Sequence, residues 1–322
     1  MLTRANDNSI YCTTNISWQY PVITEKLAFD ILSNKSYFSG KYVYLGIPWA
    51  TLIDKFNHSD STHLNSIFNH IVDSEINSKN THIITVCQHY KFSILTDFLK
   101  TLKCKYTLFT PHATSNCDKH IKAFPIFAPI SNNTNTTSHR DILYSFVGTY
   151  MDHFMSSIRL DIFSLDHPSN TVIVRRDNWH YNQEVYDNQI RKNRVNLVDK
   201  YISNQKSKYY ERVLSRSIFS LCPSGAGPNS IRLFESMSFG AIPVILSDTL
   251  SLPVLSSVDW SECVVQFPEK DISRLPNYLQ SLSTKDIENL RDNCYKAYIQ
   301  LSDNNFTSCI DEYVKYKNIV IQ

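Results

Sequence analysis

The chain has no apolar run near the roughly 20 residues that cross a membrane, and Met1 to Ser17 is too polar for a secretory leader. It has no C-x-x-C pair among its 8 cysteines, no H-E-x-x-H and no Cys/His cluster at zinc spacing, which leaves no metal site to expect. There is no G-K-[ST] and no G-x-G-x-x-G, so neither a P-loop nor a dinucleotide fingerprint is present. The carboxylate pair D-x-D, a common anchor for a divalent metal on a nucleotide diphosphate, is missing too. Net charge is only +2, too balanced for broad nucleic-acid binding. Glycine is scarce, with 6 in 322 residues. What remains is a globular chain, 42% hydrophobic and 12% aromatic, expected to be cytoplasmic with reduced thiols, at most peripheral at the inner face of a membrane.

Three of those glycines, Gly225, Gly227 and Gly240, fall in or at the end of one informative segment, 217–253. Ile218 to Cys222 is an apolar run of strand length. Pro223, Gly225, Gly227 and Pro228 break it. Asn229 or Ser230 is placed to cap a helix with an apolar face of Ile231, Leu233, Phe234 and Met237, and Gly240 to end it. Ala241 to Leu246 then reads as a second strand. This is a βαβ unit whose loop lies at the carboxyl end of its first strand, where open α/β sheets bind ligands and helix starts favour phosphate.

Strands alternate with helices over most of the chain. Tyr42 to Ile47, His82 to Cys87 and Tyr106 to Phe109 read as strands, with helices over 61–78 and 93–102. The polar tract Ser131 to Ser138 reads as a linker. Strands follow at 142–147 and 171–174, a helix at 208–217, and terminal helices over 272–282 and 285–301. The expected fold class is α/β with parallel sheets, in two domains: 1–135, and 136–322 with its last helix packing back on the first domain.

At the loop, Ser224, Gly225 and Gly227 let backbone N–H groups approach a ligand. Ser230 opens the helix. Arg232 sits in its first turn, with Glu235 three residues on and on the same side. Arg232 suits a diphosphate and Glu235 a ribose diol; a plain ion pair between the two is the alternative. Arg175 and Arg176 end another strand and are placed either to neutralise phosphate or as an exposed basic pair.

The spacing Tyr210-x-x-x-Leu214-x-x-Ser217-x-Phe219-x-Leu221-x-Pro223-x-Gly225, then Ser230-x-Arg232-x-x-Glu235, then Gly240-x-Ile242-Pro243-Val244-Ile245 and Asp248 resembles the signature of exostosin-like (GT47-type) glycosyltransferases. Arg140 to Gly148 with Arg159 resembles that family's strand opening the donor domain, and Thr110-Pro111-His112 its histidine-containing segment. The resemblance is strong over about 40 residues, reaches back to Phe109, and is not legible before Tyr106. It implies a GT-B architecture, two Rossmann-like domains facing across a cleft. It also implies metal-independent, inverting transfer from a nucleotide diphosphate sugar, expected to be UDP-linked, to a saccharide or lipid-linked acceptor of an O-antigen or capsule kind, with no bound cofactor. Ser224, Gly225, Ser230, Arg232 and Glu235 would hold the donor, with Arg175 assisting and Gly148 admitting its close approach. Candidates for the proton-accepting base are His112, His89 and Asp97. A fucosyltransferase-like GT-B enzyme shares part of the pattern, and a non-catalytic glycan-binding or assembly subunit on the same scaffold is the reading from another class.

Overall fold

The computed structural model describes residues 2–5, 9–13, 15–38, 41–131, 139–178, 181, 185 and 197–319. They pack as two compact units. The first comprises Met1–Ile126, Ser251–Leu255 and Asp303–Gln322; the second, Phe127–Leu250 and Ser256–Ser302. The division between them falls at Ile126 and Phe127. Residues 132–138, the bulk of the expected linker and the site of the expected boundary, lie outside the described residues.

Unit 1 contains β1 (Leu2–Arg4), β2 (Ile10–Thr13), α1 (Thr24–Leu32), β3 (Tyr42–Gly46), α2 (Trp49–Asn57), α3 (Thr62–Val72), β4 (His82–Val86), α4 (Ser93–Leu99), β5 (Lys105–Thr110) and β6 (Ile121–Ala123). Its sheet runs β1-β2-β3-β4-β5-β6, antiparallel only at β1–β2. The β-branched run of β4 is buried on both faces, as a central parallel strand requires. Helix α3 stops at Val72 although the apolar period continues to Ile76. Ser74 Oγ donates to the Ile71 carbonyl at 2.7 Å and Asn77 Nδ2 to that of Val72 at 3.1 Å, so polar side chains take over the last carbonyls of the helix. Ile76 still reaches the core from outside the helix, at 3% exposure.

Unit 2 contains β7 (Ile142–Gly148), α5 (Ile158–Ser164), β8 (Val172–Arg175), α6 (Leu197–Arg216), β9 (Ser217–Pro223), α7 (Arg232–Ser238), β10 (Ile242–Leu246), β11 (Val265–Gln266), α8 (Leu275–Ser281) and α9 (Thr284–Ile299). The strand order is β11-β10-β9-β7-β8, and every pairing is parallel. From β7 the chain moves outward to β8, then returns to lay β9, β10 and β11 on the other side of β7. This reversal is a topological switch point between β7 and β9. Unit 1 has no such reversal in its strand order. The α/β fold class with parallel sheets is as expected. The final helix, α10 (Ser308–Ile319), belongs to unit 1: Tyr313 Oη lies 2.9 Å from Thr107 Oγ1, and Asp311 accepts from Tyr37 Oη at 2.7 Å and Lys35 Nζ at 3.2 Å.

The βαβ unit forms as read, with one difference. Neither Asn229 nor Ser230 caps α7. The N-cap is Ile231 with no side-chain bond, and Asn229 Oδ1 instead accepts the N–H of Ser230 at 2.7 Å. The other end is as expected: Gly240 has φ +67°, a conformation that costs a residue with a Cβ. Arg140 secures that end, donating to the carbonyls of Phe239 and Ser217, both at 2.6 Å. Among the described residues no helix is long and apolar enough to cross a membrane. All eight cysteines are free thiols, six of them buried.

Candidate active site

Two arginines meet at the switch point. Arg159, on α5, is 8% exposed and straps the two strand ends together. Its Nε donates to the Ser224 carbonyl at 2.7 Å, Nη1 to that of Thr149 at 3.0 Å, and Nη2 to that of Pro223 at 3.4 Å. Its guanidinium stacks on Phe154 at 4.7 Å. Burial, and then the charge of Arg232, push its pKa down to about 9. Arg232 reaches from α7 to β7, where Nη2 donates to the Val147 carbonyl at 2.5 Å and the guanidinium lies 4.6 Å over the Phe146 ring. Its Nε and Nη1 are buried and have no partner among the described residues. A charged fork with two idle donors is costly unless an anion engages it.

The glycines make this packing possible. A Cβ at Gly148 would lie 2.8 Å from the Phe146 ring and 3.1 Å from Arg232 Nη2; one at Gly225 would lie 3.0 Å from Arg159 Nη2. Gly148 therefore admits the arginine itself, which is a different close approach from the ligand contact expected of it. Ser224 is buried, its hydroxyl donating to Glu269 at 3.3 Å. Glu269 also accepts from Ser156 at 2.6 Å, and its own N–H is held by Asp248. Burial raises its pKa. Sequence reasoning missed Glu269, although the residue's place just after β11 puts it at the ligand end of the sheet.

Two expected donor residues are placed otherwise. Glu235 is 4% exposed, and its oxygens already accept from Tyr181 at 3.1 Å and Tyr210 at 3.0 Å, so it is held inside the unit rather than presented to a ribose. Burial lifts its pKa to about 7 against the pull of the Tyr210 hydroxyl and the Arg232 charge. Arg175 is exposed and lies 5.5 Å over Phe163. Arg176, the next residue, feels the charge of Arg232, with burial the larger cause of its lowered pKa. Ser230 sits half-buried beside Arg232 at the start of α7.

In unit 1, His89 and His112 follow β4 and β5 and are both buried. His89 Nδ1 accepts the Lys91 N–H at 3.0 Å, so Nε2 carries the proton that it gives to Asp54 Oδ1 at 3.1 Å. Asp54 Oδ2 accepts from Gln19 at 2.6 Å. His112 is pushed down to about 3 by burial and by His89, which makes it far too weak a base for neutral pH. Asp97 does not belong to this group: its side chain is 76% exposed on α4, with only Lys100 at 4.0 Å, so solvent rather than substrate surrounds it.

The same network holds Glu25, which is 2% exposed and accepts from the N–H groups of Gln88 at 2.9 Å and Ala50 at 3.0 Å. Burial raises its pKa from 4.5 to about 8. With the folded value above the unfolded one, its contribution to stability is whole below pH 4.5 and is lost as pH rises through about 8. His112 acts in the opposite sense, its contribution falling as pH drops from 6.5 towards 3. Glu25→Gln is therefore expected to flatten the loss of stability on the alkaline side, by roughly 2–5 kcal/mol across that window. Denaturant midpoints of both proteins from pH 5 to about 8 check this; parallel curves would refute it.

Among the described residues no group of three or more His, Cys, Asp or Glu side chains is placed to hold a metal ion. The exostosin GT47 domain model matches residues 62–282, well over half of the chain and further upstream than the motifs alone suggested. A probable glucuronosyltransferase of Oryza sativa subsp. japonica is 41% identical over 86 residues, 27% of this chain and 20% of that protein. The Exostosin-1 homolog of Caenorhabditis elegans is 33% identical over 94 residues, 28% of this chain and 25% of that one. The match thus spans a fifth to a quarter of the length of these curated relatives. Among solved structures, Anabaena HepE in complex with UDP and glucose aligns over 95% of this chain and 98% of its own, at 8% identity and a TM-score of 0.45.

Proposed function

Because this chain belongs to the exostosin GT47 family, we propose that it is a glycosyltransferase that moves a sugar, with inversion, from a nucleotide diphosphate donor to a growing glycan. The observation that carries this is Arg232. Its Nε and Nη1 are buried without partners among the described residues at the switch point of unit 2, near a second guanidinium whose three nitrogens each donate to a backbone carbonyl. Two idle charged donors fit the diphosphate of the leaving group, whose developing charge they would stabilise. Gly225, Ser224 and Ser230 shape the loop around it, and Glu235 supports Arg232 from behind through Tyr210, whose ring lies 5.8 Å from the guanidinium.

The acceptor's proton is assigned to the His89–Asp54 pair. Asp54 would stabilise the imidazolium as His89 Nδ1 exchanges the Lys91 N–H for the acceptor hydroxyl. The donor is proposed to be UDP-linked, and the acceptor a saccharide or lipid-linked chain of the O-antigen or capsule kind. Metal independence is part of the proposal, since arginines supply the positive charge that a D-x-D-bound ion would otherwise bring.

A thermal-shift screen against UDP-, GDP-, CMP- and dTDP-sugars tests the donor reading, because a ligand bound only to the folded state raises the midpoint by mass action. A rise of a few degrees with one nucleotide class is expected, together with transfer that is unchanged by EDTA. No shift with any nucleotide sugar would sink the proposal, and transfer abolished by EDTA would remove metal independence alone.

A further inference from the structure

We infer that His112 binds a hydroxyl group of a neutral saccharide through Nδ1, and so selects the acceptor rather than taking its proton. This rests on the glycosyl-transfer reading above. The inference comes from counting donors and acceptors in the buried polar network at the carboxyl ends of β3, β4 and β5. Glu25 accepts from the Gln88 and Ala50 N–H groups. The Gln88 side chain accepts from the Glu25 N–H at 3.0 Å and donates to Gln19 at 3.0 Å and the Val22 carbonyl at 2.7 Å. Asp54 accepts from Gln19 and His89, and both nitrogens of His89 are used. Every one of these side chains is matched.

His112 is the exception. It is 9% exposed, and its Nδ1 is buried with no partner among the described residues. Burial keeps the ring neutral, with one proton for its two nitrogens, and the Gln88 backbone favours a proton on the nitrogen facing it; since Nδ1 has no partner, we assign that proton to Nε2. Nδ1 is therefore a bare lone pair. It can accept a hydrogen bond and cannot donate one, and burial keeps it so at any physiological pH. A carboxylate or phosphate brings no proton to that nitrogen and is repelled. A hydroxyl matches it. An unmatched buried acceptor is destabilising, which is the incentive for a donor to enter. The same chemistry admits an internal water, so the test must tell water from sugar.

Protein labelled with ¹⁵N-histidine gives a direct readout, because the resonance of an unprotonated imidazole nitrogen moves when it accepts a hydrogen bond. The probes are methyl β-xyloside, methyl β-glucoside and methyl β-galactoside, each titrated with and without UDP. One glycoside is expected to shift the His112 Nδ1 signal saturably. His112→Ala should weaken that glycoside about tenfold, the effect of one hydrogen bond, with UDP affinity unchanged. His112→Asn, whose amide oxygen can stand near the Nδ1 position, should recover part of the loss. If no glycoside moves the signal, the nitrogen holds an internal water only and the inference is overturned. A loss of kcat at unchanged acceptor KM in His112→Asn would overturn it in favour of proton transfer. The parent reading fails separately: a glycoside that shifts His112 in a protein that binds no nucleotide leaves the saccharide site standing and removes the transferase.

Discussion

Arg232→Ala is expected to abolish sugar transfer and nucleotide binding while leaving the fold intact. The two idle donors, Nε and Nη1, would each make a charge-assisted bond to the diphosphate, worth about 1.5–3 kcal/mol apiece. Losing both costs about 3–6 kcal/mol, or roughly a hundred- to ten-thousandfold in affinity. Stability should change little. The bond to Val147 and the contact with Phe146 are lost, but so is a buried charge with unsatisfied donors. Arg232→Lys should fall between, because an ammonium is a point charge and not a fork. Calorimetry with UDP and with the sugar nucleotide from the screen measures this. Unchanged affinity in Arg232→Ala would remove Arg232 from the site.

Arg159→Met should do the reverse and strike the fold first. The guanidinium satisfies three backbone carbonyls on both sides of the switch point, those of Ser224, Thr149 and Pro223. Methionine fills much of the space but donates nothing. Each buried carbonyl left without a donor costs about 1–3 kcal/mol, so a total near 4 kcal/mol is expected, a large share of a typical domain's 5–15 kcal/mol. Unit 2 should therefore lose its cooperative transition at lower denaturant. Arg159→Lys should rescue little, since one ammonium cannot reach all three carbonyls. A midpoint equal to that of the parent protein would show that the strap is dispensable.

The difference between these two arginines was only partly legible beforehand. The motif around Ser230-x-Arg232-x-x-Glu235 singled out Arg232 because loop, helix and strand follow one another within a single segment, where local propensity and turn chemistry are readable. The same spacing paired Arg232 with Glu235, yet the structure gives Glu235 to Tyr181 and Tyr210. Tyr181 lies 54 residues away in sequence, and no local pattern signals such a contact. Gly148 was noted as a point of close approach, but what approaches it is the side chain of Arg232, on another element. Asp97, a candidate base by its residue type and its place in the first domain, is turned to solvent by the phase of α4. Glu269 follows a strand of only two residues, too short for its periodicity to register.

The sequence by itself determined the α/β class, most of the alternation of strands and helices from residue 42 to 301 though not α2 or β6, the glycine loop after β9 and the family, because these depend on residues close together in the chain. Only the tertiary structure decided which side chains meet. It brought Arg159 and Arg232 to the Phe146 ring, at 5.7 and 4.6 Å, at the β7–β9 reversal, enclosed Glu235, matched His89 to Asp54, and left Nδ1 of His112 and two nitrogens of Arg232 as polar atoms with no partner among the described residues. The physical reason is that burial and hydrogen-bond satisfaction are set by elements far apart in sequence. A charged or polar side chain becomes functional or structural according to whether its neighbours complete its bonds, and that accounting is not written in any single stretch of the chain.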